Sequence, residues 1–180
     1  MKIVTLFDYE SEAWKKTLFD LEPFTQVCFE KTVHLVAPVV KVSGPFEISC
    51  LFSEDKKMKL LNYQYRGKNV PTNVLSFGYA LEPGVFEEDE GRKISHEAPH
   101  ILGDIVFSFE TIKEEAQVQG KTFQDHFAHL AVHGLLHLLG YDHKNDEEAA
   151  LMEGLEQKIL SELSIPDPYQ VIEETGLRHV

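Results

Sequence analysis

Residues 122–139 leave the fold little choice. Phe123, Phe127, Leu130, Val132, Leu135, Leu136 and Leu139 recur at helical spacing and reach around most of the circumference. A helix that is apolar on most sides belongs inside a domain, packed against several neighbours. The same stretch carries His126, His129, His133 and His137. His133 and His137 stand one turn apart on one face, near enough to grip a single small ion. The segment continues as HGLLHLLGYDH, in which Gly140 can take the left-handed backbone that ends a helix and lets the chain double back. His143 then arrives as a third ligand. Three neutral imidazoles suit a catalytic zinc with an open position, one per chain, and also nickel, cobalt or iron; a structural site takes a fourth protein ligand. None follows plainly in the sequence, Asp142 being a weak candidate.

The spacing is that of the long zinc-protease motif HExxHxxGxxH, with one substitution. Gly134 stands where those peptidases place the glutamate that acts as general base. A glycine neither accepts the proton of water nor passes one to a leaving amine, so the pattern argues against a peptidase of that type. His129, one turn before His133, is a candidate outer partner of a ligand or a lining of the substrate cleft, and His126 reads as an ordinary polar position. Asp142 and Asp104 are candidates for acid–base work, and Asp142 alternatively orients a ligand histidine. His34, His96, His100 and His179 lack the sequence spacing of a ligand set.

The remaining chain supplies the scaffold. At 180 residues and 43% hydrophobic content one domain is expected, residues 1–165, with 166–180 as an irregular or flexible tail. The reading is α+β: a single mixed α/β domain whose small, mainly parallel sheet of four or five strands is packed with helices around the histidine helix. Strands are expected at 2–7, 33–39, 46–52 and 101–110, and residues 70–80 hold a turn and a strand centred on Val74, Leu75 and Phe77; 33–39 and 46–52 are plausibly paired as a hairpin across Ser43, Gly44 and Pro45. Ser11 is expected to cap a helix with the stripe Trp14, Leu18 and Leu21 that stops near Pro23. A second helix runs from Ser53–Asp55 to about Tyr65 with Met58, Leu61 and Tyr65 inward, and Asn145 or Asp146 caps a last one to about Leu163. The acidic stretch 82–97 reads as a mobile surface loop.

Charge and sorting signals narrow the setting. The net charge of −13 argues against holding nucleic acid or anionic membrane through the overall field, and no DNA target is expected. A local basic cluster, Lys56, Lys57, Lys59, Arg66 and Lys68, is a candidate phosphate-binding surface. No leader peptide or membrane-spanning run is visible, and Cys28 and Cys50 match no metal or disulfide pattern, so a reducing cytoplasmic setting is expected.

HGLLHLLGYDH, together with YRGKNVPTNVLSFG at 65–78 and LGDIVFSF at 102–109, closely resembles the bacterial YbeY family of metal-dependent endoribonucleases. Roughly residues 45–163 are covered, with all three segments in the family's order and spacing. The resemblance implies zinc on His133, His137 and His143 and cleavage of single-stranded RNA. It further implies a role in 3′ end maturation of small-subunit ribosomal RNA and ribosome quality control, with ribosomes and ribosome-associated factors as partners. The family's arginine falls on Arg66. Asn69 and Gly78 depart from the aspartate and proline common in the family and bear on local loop shape. Two other readings stay open at the level of sequence: a metal-dependent hydrolase of peptides or small molecules, and a ribosome-assembly RNA-binding protein with a structural metal.

Overall fold

The computed structural model describes residues 2–36, 45–79 and 99–170. Four strands form one sheet in the order β1-β2-β4-β3: β1 Lys2–Tyr9, β2 Pro45–Ser53, β3 Val74–Gly78 and β4 His100–Ser108. β1 pairs with β2 and β2 with β4 in parallel, while β3 runs antiparallel along the far edge of β4. The sheet is thus mixed and mainly parallel. The helices are α1 Leu21–Val36, α2 Asp55–Arg66, α3 Phe109–Val118, α4 Phe123–Leu138 and α5 Asp146–Glu162. α4 packs on β3 and β4, and α1, α3 and α5 surround it; α2 lies against β4 on the other face. No helix among the described residues is long and apolar enough to cross a membrane.

Two sequence expectations are overturned near the N-terminus. Ser11 does cap a turn, accepting from the Ala13 amide, but it opens only a 3-10 segment, Glu12–Lys16. Trp14 is buried and Leu18 fully exposed, so the two share no apolar stripe. Pro23 does not stop a helix; it sits in the first turn of α1, where the missing N–H has no intrahelical acceptor to lose. Nor do residues 33–36, the described part of the strand expected at 33–39, form a strand. Val33 to Val36 complete α1, whose buried face is Cys28, Phe29, Val33 and Val36; residues 37–39 lie outside the described residues. Among the described residues no hairpin pairs 33–36 with β2, which takes β1 and β4 as its partners. The acidic stretch 82–97 and residues 171–180 of the expected tail also lie outside the described residues.

The core is organised around aromatic rings. Trp14 donates its indole N–H to the Ser53 carbonyl at 2.8 Å and stacks among Phe52, Phe107, Phe109, Phe123 and Phe127. Each phenylalanine buried there stabilises the fold by roughly 1.5–3 kcal/mol. α2 and α3 cap each other: the Asp55 carboxylate accepts from the Thr111 amide at 3.2 Å, and Glu110 accepts from the Asp55 amide at 3.0 Å. On α2, Met58 is buried and Leu61 half-buried, but Tyr65, expected inward, is exposed.

Strand parity on β4 decides what faces α4. Ile105 and Phe107 point to α4, whereas Asp104 and Val106 point to the α2 side. Gly103 sits at φ +146°, and a Cβ there would lie 2.1 Å from the Phe77 carbonyl oxygen on β3. Gly103→Ala is accordingly expected to cost about 3 kcal/mol or more, because strain and overpacking fall on the same residue. Urea denaturation measures this; a loss below about 1 kcal/mol would show that β3 and β4 pair less closely.

Candidate metal centre

α4 begins at Thr122, whose hydroxyl accepts from the Asp125 amide at 3.0 Å. It ends with Gly140 at φ +91°; Gly140 donates to the His137 carbonyl and Tyr141 to the Leu136 carbonyl, both at 3.0 Å. These crossed bonds form a Schellman turn and swing the chain back across the last turn of the helix. His143 thereby comes beside the two helical histidines. Ring centroids are 4.5 Å apart for His133 and His137, 5.1 Å for His137 and His143, and 5.6 Å for His133 and His143. Each ring offers a nitrogen within 4.8 Å of the others, and no fourth His, Cys, Asp or Glu joins this trio among the described residues.

The hydrogen bonds set the tautomers. His137 Nδ1 lies 3.0 Å from the Tyr141 carbonyl, which only accepts, so Nδ1 carries the proton and Nε2 keeps its lone pair. His133 Nδ1 lies 2.7 Å from Glu156 Oε1, with the same consequence. The two Nε2 atoms are 3.0 Å apart. Two lone pairs facing at that distance repel each other, and neither ring has a proton to share. Burial and the neighbouring His133 hold the His137 pKa below its ordinary value, which disfavours filling the gap with a proton. The donor set fits a metal cation, which accepts both lone pairs at once.

Glu156, on α5, is the residue that the sequence reading missed. It is fully buried and receives His133, His129 at 3.0 Å on Oε2, and the Tyr169 hydroxyl. Burial pushes its pKa up, but the hydrogen bonds from His129 and His133 more than offset that and hold the carboxyl down at about 2. The faint signal was its phase. Glu156 falls four residues after Met152 and three before Ile159, a charge on the buried stripe of an otherwise amphipathic helix.

The other candidates are scattered. His129 joins the site through Glu156. His126 serves the fold, 2.7 Å from Glu115, which also accepts from Asn73 at the start of β3. Asp142 points outward: it accepts from Lys144 at 2.8 Å and lies 4.0 Å from His137 Nδ1, and the Tyr141 carbonyl orients that ring instead. Lys144 and the His143 amide hold its carboxyl at about 2. Asp104 is not brought to the histidines. It accepts from the Tyr79 hydroxyl at 2.9 Å in a groove of about 600 Å3 on the α2 side, which Lys57, Tyr65 and Phe77 also line. Lys57 pairs with Glu10 at 3.3 Å. Arg66 ends α2, exposed, and like Lys56, Lys59 and Lys68 it forms no ion pair among the described residues. The adjacent Tyr65 ring packs on Phe77 at 4.9 Å, so α2 ends beside the strand on which α4 rests.

Gly134 explains the absent glutamate. Its carbonyl accepts from Ser76 at 3.0 Å, and a Cβ would lie 3.1 Å from both Ile105 Cγ2 and Ser76 Oγ. This position faces the sheet, in the tight seam between α4 and β3.

Comparison with known proteins gives the chain its relatives. The family model for Endoribonuclease YbeY matches residues 9–164. Endoribonuclease YbeY of Paramagnetospirillum magneticum is 43% identical over 162 residues, covering 90% of this chain and 93% of its own. That of Bartonella henselae is 44% identical over 163 residues, covering 89% and 92%. The fold is similar to the solution structure of TM1509 from Thermotoga maritima, with a TM-score of 0.52 and 21% identity over 93% of this chain and 99% of that one. A sheet-packed helix that carries two ligand-spaced histidines, a turn that returns a third, and this extent of identity lead to one conclusion: the chain belongs to the YbeY endoribonuclease family.

Proposed function

We propose that this protein is a zinc-dependent, single-strand-specific endoribonuclease that matures the 3′ end of small-subunit ribosomal RNA. In this reading it also serves ribosome quality control in the cytoplasm, with ribosomes and ribosome-associated factors as partners and neither DNA nor membrane as a target. The observation that carries the reading is the pair of Nε2 lone pairs converging to 3.0 Å beside His143.

His133, His137 and His143 hold one zinc per chain. Such a cation supplies Lewis acidity towards water and a phosphoryl oxygen. Arg66 contributes a planar fork that matches two phosphate oxygens, and it has no ion pair to give up among the described residues. Lys56 and Lys59 on the same helix and Lys68 just after it, all exposed, hold flanking phosphates against the net charge of −13, and Lys57 joins them on leaving Glu10. Proton acceptance does not fall to Gly134. Asp142, with its carboxyl at about 2, is a weak base at neutral pH. A peptidase is disfavoured by the seam around Gly134, which has no room for a carboxylate. A structural metal is disfavoured by the trio's three protein donors among the described residues, where closure takes four.

The test is cleavage of a labelled single-stranded RNA by zinc-loaded protein beside a chelated sample and Arg66→Ala. Arg66→Ala is expected to lower kcat/KM on the order of 10²-fold, as for loss of one donor to developing charge, with metal content and melting temperature unchanged. Equal cleavage by Arg66→Ala removes the arginine from the site. No cleavage by protein with stoichiometric zinc, on ribosomal and generic RNA alike, removes the nuclease assignment.

A further inference from the structure

Glu156 is the only fully buried acidic side chain among the described residues, and α5, which bears it, adds no residue to the trio of His133, His137 and His143; Glu156 groups instead with His129 and His133, to which it is hydrogen-bonded. A buried carboxylate costs several kcal/mol unless its lone pairs are occupied. Here both oxygens are engaged: Oε1 by His133 Nδ1 at 2.7 Å, Oε2 by His129 Nε2 at 3.0 Å and by the Tyr169 hydroxyl. Tyr169 is delivered by a segment that folds back beside α5, held where Gln157 donates to Asp167 at 3.1 Å and Lys121 to the Pro168 carbonyl at 2.6 Å.

We infer that Glu156 is a positioning residue for His133, and that His129 and Tyr169 are the groups that hold it to that duty. The inference rests on the reading of His133, His137 and His143 as metal ligands. An ionised carboxylate only accepts, so the His133 nitrogen facing it must carry the proton, and Nε2 is left as a lone pair aimed at His137 and His143. Ring rotation is fixed by the same bond.

The two helical histidines are thus oriented by different means. His137 is set by its own turn, through a carbonyl four residues ahead, which forms as soon as the helix end does. His133 has no local acceptor and is set by a residue 23 positions away on another helix. The docking of α5 and of residues 163–170 is therefore part of the site. It also accounts for His129, which stands one turn before His133 without belonging to the ligand trio: it donates to the oxygen that His133 leaves free.

Two variants test this. Glu156→Gln keeps the shape and one carbonyl acceptor but loses the charge and the obligatory accepting face. Tyr169→Phe removes a single bond to Oε2 and leaves His133 and Oε1 untouched. Two readouts are taken on folded protein: zinc affinity by competition with a chromophoric chelator, and the imidazole 15N–1H correlation spectrum of metal-free protein at neutral pH, which reports which nitrogen of each ring is protonated. Wild type is expected to show both His133 and His137 protonated on Nδ1. Glu156→Gln is expected to bind zinc about 10–100-fold more weakly, the usual scale for losing such a partner, with His133 becoming a tautomer mixture and His137 unchanged. Tyr169→Phe is expected to weaken zinc severalfold with both tautomers kept.

Wild-type protein with His133 protonated on Nε2 overturns the inference, as do unchanged affinity and unchanged His133 tautomer in Glu156→Gln. If Glu156→Gln does not fold, unchanged affinity in Tyr169→Phe overturns it. The outcomes separate it from the functional reading. Failure of wild-type protein to bind zinc sinks the metal centre while the metal-free spectrum still decides the role of Glu156, and absent RNA cleavage leaves both readouts in force.

Discussion

His137→Ala is expected to abolish cleavage, by on the order of 10³-fold or more, while leaving the metal-free fold intact. The ring is partly exposed and its Nδ1 bond to the Tyr141 carbonyl closes a turn that the crossed backbone bonds of Gly140 and Tyr141 already hold. Removing it also removes the repulsion between two lone pairs 3.0 Å apart. Metal-free His137→Ala should therefore melt no lower than metal-free wild type, within about 1 kcal/mol, the range of substitutions that break no buried bond. What it loses is the rise in melting temperature on adding zinc, since a ligand stabilises only the state that binds it. Melting curves with and without zinc check this directly. A variant that keeps the full zinc-induced rise would show that the ion is held elsewhere.

Gly134→Glu restores the long zinc-protease motif on paper, and the expected result is an unstable protein rather than a peptidase. Its Cβ would press on Ile105 Cγ2 and Ser76 Oγ at 3.1 Å and approach Val74 Cγ2 at 3.4 Å, with the carboxylate following into the seam between α4 and the sheet. Overpacking of this kind costs about 1–3 kcal/mol, and an unpaired buried carboxylate adds several more. The sum, on the order of 4 kcal/mol or more, is a large part of a typical domain's 5–15 kcal/mol. Gly134→Ala separates the two contributions: its methyl meets the same atoms, but helix propensity returns about 1 kcal/mol, so its net effect should be small. Urea denaturation of both variants measures the difference. A folded Gly134→Glu with near-native stability would mean that the residue faces solvent and that α4 is rotated from the orientation described.

The clustering of the three histidines was legible in the sequence because every relation that builds it is local. His133 and His137 share a face through helical periodicity alone, and Gly140 followed by Tyr141 makes the turn that returns His143. The same holds for the buried character of α4 and for the cap at Asn145, which depend on a few consecutive residues. The valine-rich run ending α1 was misread because β-propensity is weaker than packing: Val33 and Val36 fall in phase with Cys28 and Phe29, and the buried helical face prevails. Pro23 was misread because its meaning depends on whether a helix ends or begins there.

Tertiary structure alone decided the rest. Glu156 meets His133 only because α5 docks on α4, and no spacing rule connects residues 23 positions apart on different helices. Asp104 is turned from the histidines by strand parity: Ile105 takes the face that packs on Gly134, so its neighbour must take the other. Gly134 itself reads in sequence as a missing base and in three dimensions as a point of close approach between helix and sheet. Short-range geometry along the chain selects which side chains share a face; which of them is near another element, and which way a polar group must point, follows from how the faces pack.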